Sequence, residues 1–107
     1  MIITTIKMTV PHEKRQEMLQ TVSTLAGTAR KEHGCLACDL YIDTEDADEF
    51  LLMEEWNAPE DFDRHVRAPA FAALLGAMTL LNKRPDVRIH AVALTSGMEK
   101  IKAMRVA

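Results

Sequence analysis

The sequence has no apolar run near the roughly 20 residues that a membrane-spanning helix needs. It has no basic stripe interleaved with aromatic residues either. Thirteen Lys and Arg are mixed with sixteen Asp and Glu, for a net charge of −3. No membrane and no nucleic acid partner is expected. The opening "MIITTIKMTV" carries no basic stretch, long apolar segment or cleavage site, so no signal peptide and a cytoplasmic location are expected. Phosphate loops, dinucleotide fingerprints, nucleophile elbows and spaced metal-ligand clusters are missing, so neither a loop-held nucleotide cofactor nor a metal is expected. No repeat, low-complexity tract or linker breaks the 107 residues, which fit one domain over 1–107 with an adequate but thin core.

Cysteine is scarce as well. Both cysteines lie in "CLAC", Cys35 and Cys38. A redox pair wants its first thiol at a helix N-terminus. Here both fall in an apparent strand, where residues three apart point to opposite faces. Two thiols also cannot fill a tetrahedral zinc site. They are expected to act as small core hydrophobes.

What is present is periodicity. Ile2, Thr4, Ile6, Met8 and Val10 alternate with Ile3, Thr5, Lys7 and Thr9, which predicts a half-buried strand. Pro11 suits a first helical turn. Met18, Leu19, Val22, Leu25, Ala26 and Ala29 then form one helical stripe, with Gly34 as the stop. "CLACDLYID" and "FLLMEEWN" read as strands joined across the polar "TEDADE". Pro59 opens a helix and Pro69 interrupts it. The helix resumes with Phe71, Leu74, Leu75, Met78 and Leu81 on one stripe. "VRIHAVAL" is a fourth strand. Ser96 and Glu99 suggest a capping box for a short terminal helix over 97–105.

The order β-α-β-β-α-β predicts an α+β, ferredoxin-like antiparallel sheet. Two helices cover one face. The other is not cleanly polar, since Ile3, Leu51, Met53, Val92 and Leu94 need somewhere to go. A second copy of the chain packed through the sheet is the expected cover, giving a homodimer.

The densest stretch is "EEWNAPEDFDRHVRAP", residues 54–69. Strand alternation puts Phe50, Leu52, Glu54 and Trp56 on one face. Helical spacing puts Phe62, His65 and Val66 on another. Phe62 and Val66 want the core, which directs His65 inward or to the core's rim, and sheet and helix can bring Glu54, Trp56 and His65 together. A carboxylate in apolar surroundings should have a raised pKa, and histidine titrates near neutrality. The pair can serve as a base and the group that orients it. Tyr41, Phe62, Phe71, Leu75 and Met78 are the candidates to line a slot for a flat ligand beside Trp56. A structural role fits the same positions, with Glu54 paired to a cross-strand Lys or Arg, Trp56 filling core and His65 bonding a backbone carbonyl. His12 and His33 are expected in solvent, and His90 at the dimer face.

The series Gly34, Asp43, Phe50, Glu54-x-Trp56, Phe62-x-x-His65 and Pro69-x-Phe71 resembles the antibiotic biosynthesis monooxygenase family in order and spacing. The resemblance implies a dimeric α+β barrel. It implies a cofactor-free monooxygenase that oxidises a quinol-like, polycyclic aromatic or polyketide substrate with O2. Glu54 or His65 would then move the proton and Trp56 would position the ring. The family's autoinducer-2-processing branch implies an alternative, an isomerase or lyase acting on a small carbonyl compound. A non-catalytic dimer that binds a small molecule is the remaining alternative. The haem-degrading branch is disfavoured, because Leu75 and Lys7 stand where its axial histidine and its asparagine would be.

Overall fold

The structure, a computed structural model, describes residues 1–106; the last residue of the expected domain, Ala107, lies outside them. The chain runs β1 (Ile2–Thr9), a 3-10 turn (His12–Lys14), α1 (Arg15–Ala29), β2 (Cys35–Ile42), β3 (Glu49–Trp56), α2 (Pro59–Arg67), α3 (Pro69–Met78), β4 (Asp86–Ala91) and α4 (Met98–Arg105). The four strands form one antiparallel sheet in the order β2-β3-β1-β4. This is the expected α+β, ferredoxin-like arrangement.

Alternation decides which side of each central strand is buried. On β1 the buried residues are Ile2, Thr4, Ile6 and Met8, and on β3 they are Phe50, Leu52, Glu54 and Trp56. The register sets Thr4 opposite Glu54 and Ile6 opposite Leu52, so both strands present these side chains to the same layer of helices. Helix α1 answers with Met18, Val22, Ala26 and Ala29, and α3 with Leu74 and Met78. Together they make the core, along with Met8, Val10, Cys38 and Phe50.

Local expectations needed correction in several places. Pro11 precedes a single 3-10 turn and lies outside α1. Helix α1 stops at Ala29, five residues before Gly34, and closes with the Arg30 amide on the Ala26 carbonyl. Gly34 instead shapes the turn into β2 at a φ of 81°. Its carbonyl accepts the Asn57 amide at 2.8 Å, and a Cβ there would sit 2.0 Å from the Asp61 carboxyl carbon. The two cysteines do not point to opposite faces. A register shift between Cys35 and Ala37 sets Cys35 opposite Trp56 and Cys38 opposite Glu54, so the bulge turns both thiols toward the helices. Helix α4 is capped at Gly97, whose amide donates to Glu99 Oε1 at 2.9 Å, and Ser96 makes no side-chain cap.

Pro59 and Pro69 each occupy the first turn of a helix, where a missing N–H costs nothing. Ala68 is extended before Pro69, as a residue preceding proline prefers, and this breaks α2 from α3. All six residues of β4 are exposed, although Val87 and Ile89 pair with Ile6 and Thr4 on the helix side. The helices stop short of this edge strand.

Gly34 gives the first test. Gly34→Ala should lower the unfolding free energy by about 1–3 kcal/mol, because the left-handed φ and the approach to Asp61 both oppose a Cβ. Gly27→Ala, in α1 with nothing within 4 Å of the new Cβ, should raise it by roughly 0.5–1 kcal/mol. Urea melts of the two variants check both signs.

Candidate active site

Helix α2 turns a different face inward from the one its apolar residues suggest. Asp61 and His65 are buried, while Phe62 is half-buried and Val66 is exposed. Asp61 packs on Gly34 and accepts from Arg64 Nη1 at 3.1 Å. His65 enters the space between β3 and the end of α1. Its Nε2 lies 3.1 Å from Glu54 Oε2 and its Nδ1 lies 3.0 Å from Glu32 Oε2. An ionised carboxylate only accepts, so a ring held between two of them donates from both nitrogens and is an imidazolium.

Glu54 is saturated from four sides. Thr4 Oγ1 donates to Oε1 at 3.0 Å and Trp56 Nε1 donates to the same oxygen at 3.2 Å. His65 takes Oε2, and the Cys38 thiol donates to that oxygen at 3.9 Å. The Trp56 indole stacks on the imidazole with centroids 4.4 Å apart, and Phe71 meets its other side edge-on at 5.2 Å. Among the described residues no buried side-chain nitrogen or oxygen lacks a partner.

The pKa directions follow from these bonds. Burial pushes the Glu54 carboxyl up. The hydrogen bond and charge of His65, with the bonds from Trp56 and Thr4, outweigh burial and hold it below the usual carboxylate range. Apolar surroundings alone had suggested a raised value; the donors reverse it. For His65, burial favours the neutral ring, but the hydrogen bonds and charges of Glu54 and then Glu32 raise its pKa overall. Burial, followed by the charge of Glu54, pushes the Cys38 thiol up to about 12. That thiol stays protonated and is no nucleophile.

Beside this network lies a cavity of about 430 Å³. Thr4 and Ile6 of β1 form its floor and Val87 and Ile89 of β4 one wall. Phe62, Val66, Phe71, Leu75 and Met78 line the helix side, and Asp63 and Arg67 are its charged residues. The β4 wall is open because neither α2 nor α3 covers it.

Glu54, Trp56 and His65 thus meet, with the β3 alternation as predicted but with His65 turned inward on a face shared with Asp61 and not with Phe62 and Val66. They meet behind the cavity wall and do not line it. They are 2%, 0% and 3% exposed. Phe62, Phe71, Leu75 and Met78 all line the cavity. Tyr41 does not. The hairpin sets Leu40 opposite Leu52 and Tyr41 opposite Leu51, which puts Tyr41 on the far side of the sheet beside Lys7. Glu54 pairs with a histidine and not with a Lys or Arg, and His65 bonds two carboxylates and not a backbone carbonyl. His12 and His33 stand in solvent, at 86% and 83% side-chain exposure.

Three partners escaped the sequence reading. Cys38 was expected only as a small core hydrophobe. Glu32 lies in the irregular turn after α1, where no period marks it. Thr4 carried a signal: it is the one polar residue on the inward face of β1.

The sequence profile described as antibiotic biosynthesis monooxygenase matches residues 1–76. The chain belongs to that family. Solved structures agree with this family's fold. A candidate antibiotic biosynthesis monooxygenase from Deinococcus radiodurans superposes with a TM-score of 0.85 at 20% identity, covering 92% of this chain and 98% of the other. A conserved protein from Methanosarcina mazei Go1 gives 0.78 at 27% identity, covering 83% and 89%. A further structure, described only as an antibiotic biosynthesis monooxygenase, gives 0.79 at 23% identity, covering 88% and 100%. No curated protein matched by sequence. In this family member the cavity-lining residues come from both sides of the matched span's end, since Met78, Val87 and Ile89 lie beyond residue 76.

The coupled pair makes stability depend on pH in a set direction. The raised His65 pKa contributes stability that is complete below the ordinary imidazole value of 6.5 and lost as pH rises through the folded value. The lowered Glu54 pKa contributes stability that is complete above the ordinary carboxyl value of 4.5 and lost as pH falls through the folded value. Thermal melts should therefore show a plateau between those two ordinary values and a decline on either side. His65→Gln should flatten the alkaline limb, and Glu54→Ala should cost about 3–5 kcal/mol by stranding the imidazolium. A wild-type Tm that is flat from about pH 6 to pH 9 would contradict the pairing.

Proposed function

We propose that the protein is a cofactor-independent monooxygenase. It oxidises a quinol-like or polycyclic aromatic substrate of polyketide type with O2, in the cavity between α2, α3 and β4. The observation that carries this reading is the juxtaposition of an apolar cavity with a buried acid–base pair. About 430 Å³ falls inside the range of roughly 300–1,000 Å³ usual for small-ligand sites. Phe62 and Phe71 offer aromatic surface to a flat ring. Membership of the monooxygenase family supports the reaction class.

The chemistry asks little of the protein. A phenol or activated methylene loses a proton, and the resulting electron-rich anion reduces O2 itself. The protein supplies a dry site, a proton acceptor and orientation. On this reading Glu54 and His65 move the proton from behind the wall. Trp56 acts by holding both of them and not by touching the substrate ring.

The reading takes the whole chain, 1–107, as one domain that works as a homodimer. Leu94, Met98, Met104 and Val106 are 80%, 61%, 67% and 86% exposed, and Val87 and Ile89 on the β4 edge are half exposed. Ile3, Leu51 and Met53 share the far face of the sheet. So many uncovered apolar side chains are unusual on a monomer. A second copy would cover them and help keep water from the cavity. Light scattering at micromolar concentration should give twice the chain mass; a monomer would remove this part of the reading.

Oxygen uptake by chelator-treated protein, against a panel of quinols, anthrones and small hydroxy-ketones, tests the activity. Leu75→Trp should fill the cavity and cut kcat/KM at least about tenfold, because Leu75 is half exposed into that space and its replacement leaves the core untouched. The variant's Tm should stay within about 3 °C of wild type, in line with a surface-type substitution. Loss of a hydroxy-ketone without oxygen uptake would instead favour an isomerase or lyase. Binding without turnover would favour a non-catalytic binding protein.

A further inference from the structure

Glu54 and His65 are sealed from the cavity, so neither can take a proton directly from a molecule bound there. Three polar side chains line the cavity, Thr4, Asp63 and Arg67. Of these, Thr4 alone bonds to the buried network, with its Oγ1 3.0 Å from Glu54 Oε1. A hydroxyl donates once and accepts twice. Glu54 is an anion with its other donors fixed, which points the Thr4 hydrogen at the carboxylate and leaves the oxygen lone pairs free to accept. Thr4 is itself buried, at 2% exposure, yet it is among the residues that line the cavity. The network also has an outer end. Beyond Glu54 come His65 at 3.1 Å and Glu32 at a further 3.0 Å, and the Glu32 side chain is 23% exposed.

We propose that Thr4 is a catalytic residue, the port through which a proton leaves the bound substrate, and that Glu54, His65 and Glu32 conduct the charge to solvent. The proposal rests on the cavity being the substrate site. Each link is within ordinary hydrogen-bond distance, as a proton transfer requires.

The step balances as follows. The acidic O–H or C–H bond of the substrate breaks and a new Thr4 O–H bond forms, leaving the electron pair on the substrate. The original Thr4 proton passes to Glu54 Oε1. The His65 imidazolium gives its Nδ1 proton to Glu32, which releases it to water. The neutral ring keeps its Nε2 proton on Glu54 Oε2, so it regains its Nδ1 proton from water through Glu32. Glu54 gives its proton back through Thr4 to the anion or its product, which restores the starting state. One proton leaves the substrate and one reaches solvent, and nothing is oxidised in this step. The remaining titratable group against Glu54 is Cys38 on β2, 3.9 Å away, and its thiol stays protonated throughout. Trp56 and Phe71 hold the imidazole ring between them and are positioning residues.

Proton removal can be read apart from oxygen chemistry. Anthrone, a carbon acid with a flat ring system, is incubated anaerobically with the protein in deuterium oxide, and deuterium entry at its methylene is followed by NMR. Wild type should accelerate exchange over buffer. Thr4→Val should lose at least about tenfold of that acceleration while binding anthrone within about threefold of wild type by equilibrium dialysis. Thr4→Ser, which restores the hydroxyl, should recover it. Glu32→Gln should slow exchange and shift its pH profile, which a merely structural Glu32 would not do.

Exchange by Thr4→Val at the wild-type rate overturns the proposal. So does the absence of wild-type acceleration, a loss in Thr4→Val that only tracks lost binding, or a Thr4→Ser variant as slow as Thr4→Val. Wild-type exchange that depends on Thr4, in a protein that consumes no oxygen with any compound of the panel, keeps the port and removes the oxygenase reading.

Discussion

The rest of the structure is arranged around one buried ion pair. Removing a carboxylate and an imidazolium from water costs several kcal/mol each unless both find partners. Glu54 meets that demand with donors from three strands and a helix: Thr4 on β1, Cys38 on β2, Trp56 on β3 and His65 on α2. His65 adds Glu32, from the turn after α1. The pair therefore joins elements far apart in sequence, and its geometry constrains each of them. The bulge at Cys35 and Ala37 brings Cys38 opposite Glu54. Asp61, one turn before His65, packs on Gly34 so closely that a side chain there has no room. The turn that bears Glu32 ends at this same glycine.

This constraint also explains the orientation of α2. A helix with Phe62 and Val66 one turn apart would ordinarily bury both. Here the buried side belongs to Asp61 and His65, and Phe62 and Val66 are left to line the cavity. Adjacent faces of a nine-residue helix thus serve two purposes: the polar face completes the charge network and the apolar face forms the wall of the hollow beside it. Leu75 on α3 follows the same logic. It reads as a core position by spacing, yet it is half exposed because it borders the same hollow.

Much of this was legible in the sequence where one physical rule acted alone. Alternation on β1 and β3, the α1 stripe and the two prolines that frame α2 and α3 were sufficient for the sheet and its layer of helices. Parity also put Glu54 and Trp56 on one face, whereas His65 was turned inward for the wrong reason, since the face it shares with Phe62 and Val66 is not the buried one. The reading failed where two rules competed. The bulge reversed the parity between Cys35 and Cys38, and hairpin register turned Tyr41 away. The donors around Glu54 reversed the direction that burial alone gives its pKa. Glu32 lay in a turn with no period to place it. Thr4 was visible as a polar residue on the otherwise apolar inward face of β1, but only its partner across the sheet gives that interruption a meaning.

Placing the charges one layer behind the wall has a chemical consequence for the proposed reaction. The cavity already has one carboxylate among its lining residues, the exposed Asp63. A second at the floor would draw water to the reacting centre, where it would compete for the substrate anion and weaken every electrostatic contact. Set behind Thr4 and Phe71, Glu54 keeps its own donors and adds no charge to the cavity lining. The base is then accessible to a proton and not to solvent. An anion formed at the floor faces a network that has just gained a proton, and the excess positive charge leaves toward solvent through His65 and Glu32 while the anion stays in the cavity. That separation would let an electron-rich anion persist beside O2 with no bound group to stabilise it, and it depends on the same ion pair that holds β3, α2 and the end of α1 together.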